Sequence, residues 1–154
     1  MHDPVRNAAT AMRPLLDAWI DLERSASVNT TSEHPQHPFQ DALRGQQSDG
    51  WRASEPGPHT ICVRFDKPMP VRRIHLEFRE SRVARTQEFT LCAVAGGRKR
   101  QIVRQQWTFS PEGSIAEIED YVVDLAAVTA IELNINPGRH DTQVFASLQS
   151  IAIA

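Results

Sequence analysis

Cysteine is scarce: Cys62 and Cys92 are the only 2 among 154 residues. That is too few for a disulfide framework, and the spacing is too wide for a zinc or thioredoxin-like pair. Both are expected to be reduced thiols, buried or half-buried in strands. An excess of one charge is also missing. The 17 Lys and Arg against 19 Asp and Glu give a formal net charge of −2, so no overall pull toward nucleic acid or anionic lipid follows. No apolar run is long enough to span a bilayer, and MHDPVRNAATAMRPLLDAWIDL lacks a basic region followed by an uninterrupted apolar stretch. The expectation is a soluble, cytoplasmic monomer with no membrane partner. Catalytic signatures are missing as well: there is no Gly-x-Ser-x-Gly elbow, no His-Glu-x-x-His helix and no phosphate-cradling glycine loop. A non-enzyme is expected. His-Pro-Gln-His-Pro at 34–38 offers two imidazoles without an evident third ligand, so a proline-stiffened loop is the reading over zinc. The basic run Arg98-Lys99-Arg100, with Arg104, reads as a solvated hairpin tip near acidic strands, which argues against nucleic acid.

What is present is alternation. With 40% hydrophobic residues the chain can bury one core, and 154 residues is the usual size of one domain. After residue 58 every second position is apolar: Ile61, Val63, Phe65; Ile74, Leu76, Phe78; Phe89, Leu91, Ala93; Val103, Trp107, Phe109; Tyr121, Val123, Leu125; Ile131, Leu133, Ile135; Ile151, Ile153. Period two puts each set on one face of a strand, and about eight strands follow. Asp66-Lys67-Pro68-Met69-Pro70, Gly96-Gly97, Ser110-Pro111-Glu112-Gly113 and Asn136-Pro137-Gly138 carry turn chemistry between them, so the sheets are antiparallel and the class is all-β. Leu15, Leu16, Trp19 and Ile20 behind Pro14 fit either a short N-terminal helix or an extended lead-in. SASVNTTS at 25–32 reads as the first strand, and Glu33 to Pro58 as a long structured loop holding Trp51. In EGSIAEIEDYVVD, alternation sets Glu117 and Glu119 on one face and Asp120 and Asp124 on the other, and the segment reads as solvated sheet surface.

The run SASVNTTSEHPQHPFQDALRG, then GWRA, then HTICVRFDKPMPVRRIHLEF, resembles the discoidin domain, or coagulation factor V/VIII type C domain, of the galactose-binding-like fold. The C-terminal AIELNINPGRHDTQVFASLQSIAIA is similar to that family's last strands, so the likeness covers roughly residues 20–154 and leaves 1–19 as a lead-in. It implies an antiparallel jelly-roll β-sandwich in which Trp51 plugs the edge of the core and directs its N–H to a loop carbonyl. It also raises calcium, which related sugar binders hold with carbonyls of this loop, an aspartate and a glutamate of the last strand. Here Arg44 and Gln149 stand near the expected acids, which removes negative charge a hard cation needs. Asp41 and Asp49 are the weak substitutes, and no cofactor is expected.

The resemblance places ligand binding in three loops at one end of the sandwich, here Glu33 to Phe39, Glu80 to Thr86 and Pro137 to Val144. Their donors are His34, His37, Arg82, Arg85, Arg139 and His140, planar groups suited to sugar hydroxyls, carboxylates or phosphates. A non-catalytic module for a carbohydrate or another polar, anionic ligand is the leading reading. A protein-interaction scaffold of the same fold is the alternative. Nucleic-acid binding and a saccharide-active enzyme rank below both. For Arg85 two roles compete: a ligand contact, or a structural ion pair with Glu80 or Glu88.

Overall fold

The computed structural model describes residues 5–7 and 19–154. Within them are nine strands: β1 (Val5–Asn7), β2 (Ala26–Thr30), β3 (Trp51–Pro56), β4 (His59–Arg79), β5 (Arg85–Ala95), β6 (Arg98–Phe109), β7 (Ala116–Asn136), β8 (Phe145–Leu148) and β9 (Ser150–Ile153). One-turn helices α1 (Leu22–Ser25) and α2 (Phe39–Ala42) precede β2 and β3. All strand pairing is antiparallel. One seven-stranded sheet runs β2-β4-β7-β5-β6, with β9 and β1 flanking the far halves of β4 and β7. The bends of those two strands divide it into a front and a back sheet, while β3 and β8 pair as a separate two-stranded ribbon. This is the expected all-β jelly-roll sandwich. The helical face built on Leu15 and Leu16 lies outside the described residues.

Two strands serve both sheets, which the sequence pattern does not predict. Asp66 to Pro70 reads as a turn, yet β4 continues through it and its register against β7 shifts between Arg64 and Arg73. Pro68 and Pro70 have no N–H to give to a ladder, so they fit a corner where the pairing is already broken. Opposite them Ala127 takes φ 52, a left-handed backbone, and β7 bends with β4. A strand, β3, also occupies part of the long segment expected to be loop.

Of the twenty apolar residues named from alternation eighteen are buried, Val103 and Trp107 of β6 being half-buried against the core, and Trp51 is buried as the resemblance implies. Trp51 is 0% exposed and its Nε1 donates to Ser32 O at 3.1 Å, closing the gap between the loop after β2 and the β3–β8 ribbon. Gly96 and Gly97, at φ 59 and 74, form the two-residue β5–β6 turn that the twist of a hairpin favours. Cys62 and Cys92 are free thiols, and both stand beside Glu132 of β7 from opposite sides. Two strand spacings, about 10 Å, therefore separate them, beyond disulfide reach.

Candidate ligand-binding site

The loops that leave the front sheet at one end are tied together by backbone and by one buried side chain. His34 N donates to Arg52 O at 2.8 Å and Arg52 N to His37 O at 3.1 Å, so the His-Pro-Gln-His-Pro loop is stitched to β3. The imidazoles of His34 and His37 lie 5.2 Å apart, tilted by 55°. From the same strand the Arg52 guanidinium sits over the Phe145 ring of β8, 5.3 Å from its centroid. Arg52 is exposed and Phe145 half-buried, which leaves a planar cation and an aromatic ring in contact with solvent. Neither is among the six donors expected at this end from sequence, where Phe145 counts only as an aromatic stacking surface or a core residue. The signal was there: Arg52 stands between two buried neighbours, Trp51 and Ala53, so alternation alone points it outward.

Arg85 opens β5 and turns inward. Its side chain is 1% exposed, with Nε 2.9 Å from Glu80 Oε1 and Nη1 donating to Gln87 Oε1 at 3.1 Å and to Pro137 O at 2.9 Å. The guanidinium also lies 4.8 Å from the centroid of Phe109. One buried cation thus fastens the 80–84 loop to the 137–144 loop. Of the two roles open to Arg85, the geometry gives the structural ion pair, and its partner is Glu80. Burial lowers the Arg85 pKa, opposed by the Glu80 carboxylate, and the nearby Arg52 charge adds to the lowering. Burial would raise Glu80, but hydrogen bonds from Arg85 and from the N–H groups of Arg82 and Val83 outweigh it, and the carboxyl lies below its usual range.

The other expected donors divide. His140 and Asp141 face Arg85, Phe109 and Gly138 across a shallow cavity of about 260 Å³. Arg82 is exposed at the loop tip and makes no side-chain ion pair among the described residues. Arg139 belongs elsewhere: its guanidinium reaches Glu88 at 3.5 Å on the outer face of the front sheet, where Arg104 meets the same carboxylate. The loop end therefore gathers His34, His37, Arg52, Arg82, His140 and Phe145 around a buried Arg85. Among the described residues no group of three or more His, Cys, Asp or Glu side chains is arranged to hold a metal.

Behind this end the interior is polar, which corrects the reading of 112–124 as solvated surface. Glu117 is 0% and Glu119 3% exposed, and both point into the sandwich. Gln87 Nε2 donates to Glu117 Oε1 at 3.2 Å, and Tyr121 O–H to Glu119 Oε2 at 2.8 Å. Burial, helped by the Glu119 charge, pushes the Glu117 pKa up to about 8. Burial also raises Glu119, against the Tyr121 hydrogen bond, and raises the Tyr121 phenol. Two raised carboxyls side by side are what a general acid/base pair needs, but these lie in the core and not in a cleft. On the opposite face Asp120 is buried and takes two hydrogen bonds of 2.7 Å from Arg73, while Asp124 is exposed.

No protein-family model and no curated protein sequence matches the chain. Solved structures do. A family 32 carbohydrate-binding module (CBM) from Clostridium perfringens NanJ, in complex with galactose, aligns at TM-score 0.55 and 17% identity over 84% of this chain and 97% of that one. The third such module of a family 31 glycoside hydrolase from the same organism aligns at TM-score 0.61 and 13% identity, over 89% and 94%. The family 32 module of AlyQ, in complex with 4,5-unsaturated mannuronic acid, gives 0.57 and 14%, over 84% and 95%. At these identities the likeness establishes the fold: a galactose-binding-like β-sandwich of the kind found in family 32 carbohydrate-binding modules, which is also the discoidin fold.

Proposed function

We propose that this domain is a non-catalytic carbohydrate-binding module whose ligand lies across the loop end and carries a carboxylate. The observation that carries the reading is the Arg52–Phe145 pair beside His34 and His37. An aromatic ring offers an apolar face to the C–H side of a sugar, and planar donors around it suit hydroxyl and carboxylate oxygens. Charge favours an acidic sugar, because Arg52 and Arg82 have no ion-pair partner among the described residues while Arg85, already matched to Glu80, holds the loops in place. Modules of this fold that bind galactose, pectin and unsaturated mannuronic acid support the ligand class.

The test is a glycan array followed by titration with galactose, oligogalacturonate and oligomannuronate. Binding to the uronates, weakened about tenfold in Arg52→Ala with an unchanged melting temperature, is the expected result, since a charge-assisted hydrogen bond contributes roughly 1.5–3 kcal/mol. Absence of glycan binding, with a protein co-purifying through the same loops, would replace this reading by the scaffold alternative.

A further inference from the structure

Between α2 and β3 the chain makes a 3₁₀ turn, Gly45–Gln47, and its carbonyl groups converge on one side chain from the far end of the sequence. Gln149, between β8 and β9, donates from Nε2 to Gly45 O at 3.0 Å and to Ser48 O at 2.7 Å. Its backbone N–H donates to Glu77 O at 2.8 Å, so the residue is anchored to β4 while its amide reaches the loop. A third carbonyl nearby, Asp41 O, accepts from Ser48 Oγ. The loop lies against this corner without room to spare: a Cβ on Gly50, at φ +76, would meet Leu148 O at 2.4 Å and Gln149 Cα at 2.7 Å. Two inward carbonyl oxygens, 2.7–3.0 Å from one centre, are the kind of oxygens a calcium ion would collect. Here the centre is a neutral amide nitrogen with two hydrogens.

The remaining residues do not fit a calcium ion. It would need several more oxygens, carboxylates among them, and removal of the amide N–H groups. The Asp41 carboxylate faces Arg44 at 3.8 Å, so any cation there would sit beside a fixed positive charge. Gln149 supplies no negative charge. We propose that the Gln149 carboxamide occupies the position of a structural cation, satisfying the loop carbonyls by hydrogen bonding so that the domain keeps its form without a divalent ion.

Three proteins test this by thermal melting in EDTA and in millimolar Ca²⁺. The wild type is expected to melt at the same temperature in both. Gln149→Ala leaves two carbonyls unsatisfied, and should melt about 5 °C lower in both, with faster amide exchange confined to residues 41–50. Gln149→Glu combined with Arg44→Asp sets two carboxylates against those carbonyls and removes the cation beside them. It should lose as much in EDTA and regain most of it with Ca²⁺. A wild type stabilised by Ca²⁺, a Gln149→Ala variant that melts like the wild type, or a double variant that Ca²⁺ does not rescue would each overturn the proposal. Should the double variant fail to fold in either buffer, the wild-type and Gln149→Ala melts still decide it.

Discussion

Truncating Arg85 to alanine would strip the loop end of its clamp, since Glu80, Gln87 and Pro137 O would lose their shared donor together. A stability loss of about 2–4 kcal/mol is expected, read as a lower denaturant midpoint, because a broken buried pair leaves a carboxylate without its counter-charge. An unchanged midpoint would return Arg85 to the role of ligand contact. Glu117 gives a second prediction at the same level. Unfolded, its carboxyl ionises near 4.5; folded, near about 8. Between those pH values the native state holds a proton that the unfolded chain has lost, so stability falls as pH rises through the window and levels off above it, at up to roughly 1.4 kcal/mol per pH unit. Glu119 shifts the same way, while Glu80, lowered, contributes stability that is lost only in acid. Glu117→Gln keeps the shape and removes one titration. It should be more stable than the wild type at pH 8–9 by roughly 1–3 kcal/mol, with a shallower decline from pH 5, in urea melts across pH. A slope identical to the wild type would mean that Glu117 is ionised in the fold.

Among the elements, β4 and β7 determine the architecture, because each passes through a corner and so joins the two sheets. The corner of β7 rests on Ala127 at φ 52, a conformation that a β-branched side chain tolerates poorly. Ala127→Val should cost about 1–2 kcal/mol in chemical denaturation, and Ala127→Gly should cost nothing or stabilise slightly. If valine were tolerated as well as glycine, the bend would not depend on that residue. Strand identities were readable because period-two alternation records which face is buried, and every predicted apolar set lies in the core except that of β6, where Val103 and Trp107 are half-buried. The corners were not readable. Asp66 to Pro70 has the composition of a turn whether the chain reverses or only bends, and Ala127 carries no local mark of a positive φ. The inward direction of Glu117 and Glu119 could have been found, since they share the parity of Tyr121, Val123 and Leu125; their charge hid what their spacing recorded. Arg85 was ambiguous for a related reason, because a loop arginine five residues after Glu80 has the same sequence whether it faces solvent or the core.

Over the whole molecule, the basic run that looks like a patch in sequence is half paired in space, at Lys99 and Arg104, while Arg98 and Arg100 are exposed. Lys99 meets Glu132 at 2.9 Å, and Arg104 and Arg139 share Glu88, so Glu88 and Glu132 on the outer face of the front sheet are matched by cations. The loop end differs, with Arg52 and Arg82 exposed beside three imidazoles and one half-buried ring. Of the six donors expected there from sequence, the fold keeps four at the surface of that end, buries Arg85 beneath them and sends Arg139 to the sheet face. Titrating ¹⁵N-labelled protein with oligogalacturonate and oligomannuronate, and following every backbone amide, separates that end from the rest of the surface. Shifts should concentrate in residues 33–38, 52, 80–85 and 137–145 and leave Glu88, Glu132 and the β5–β6 turn unmoved. Shifts centred on the front-sheet face, or none with any sugar, would contradict a carbohydrate site at the loop end.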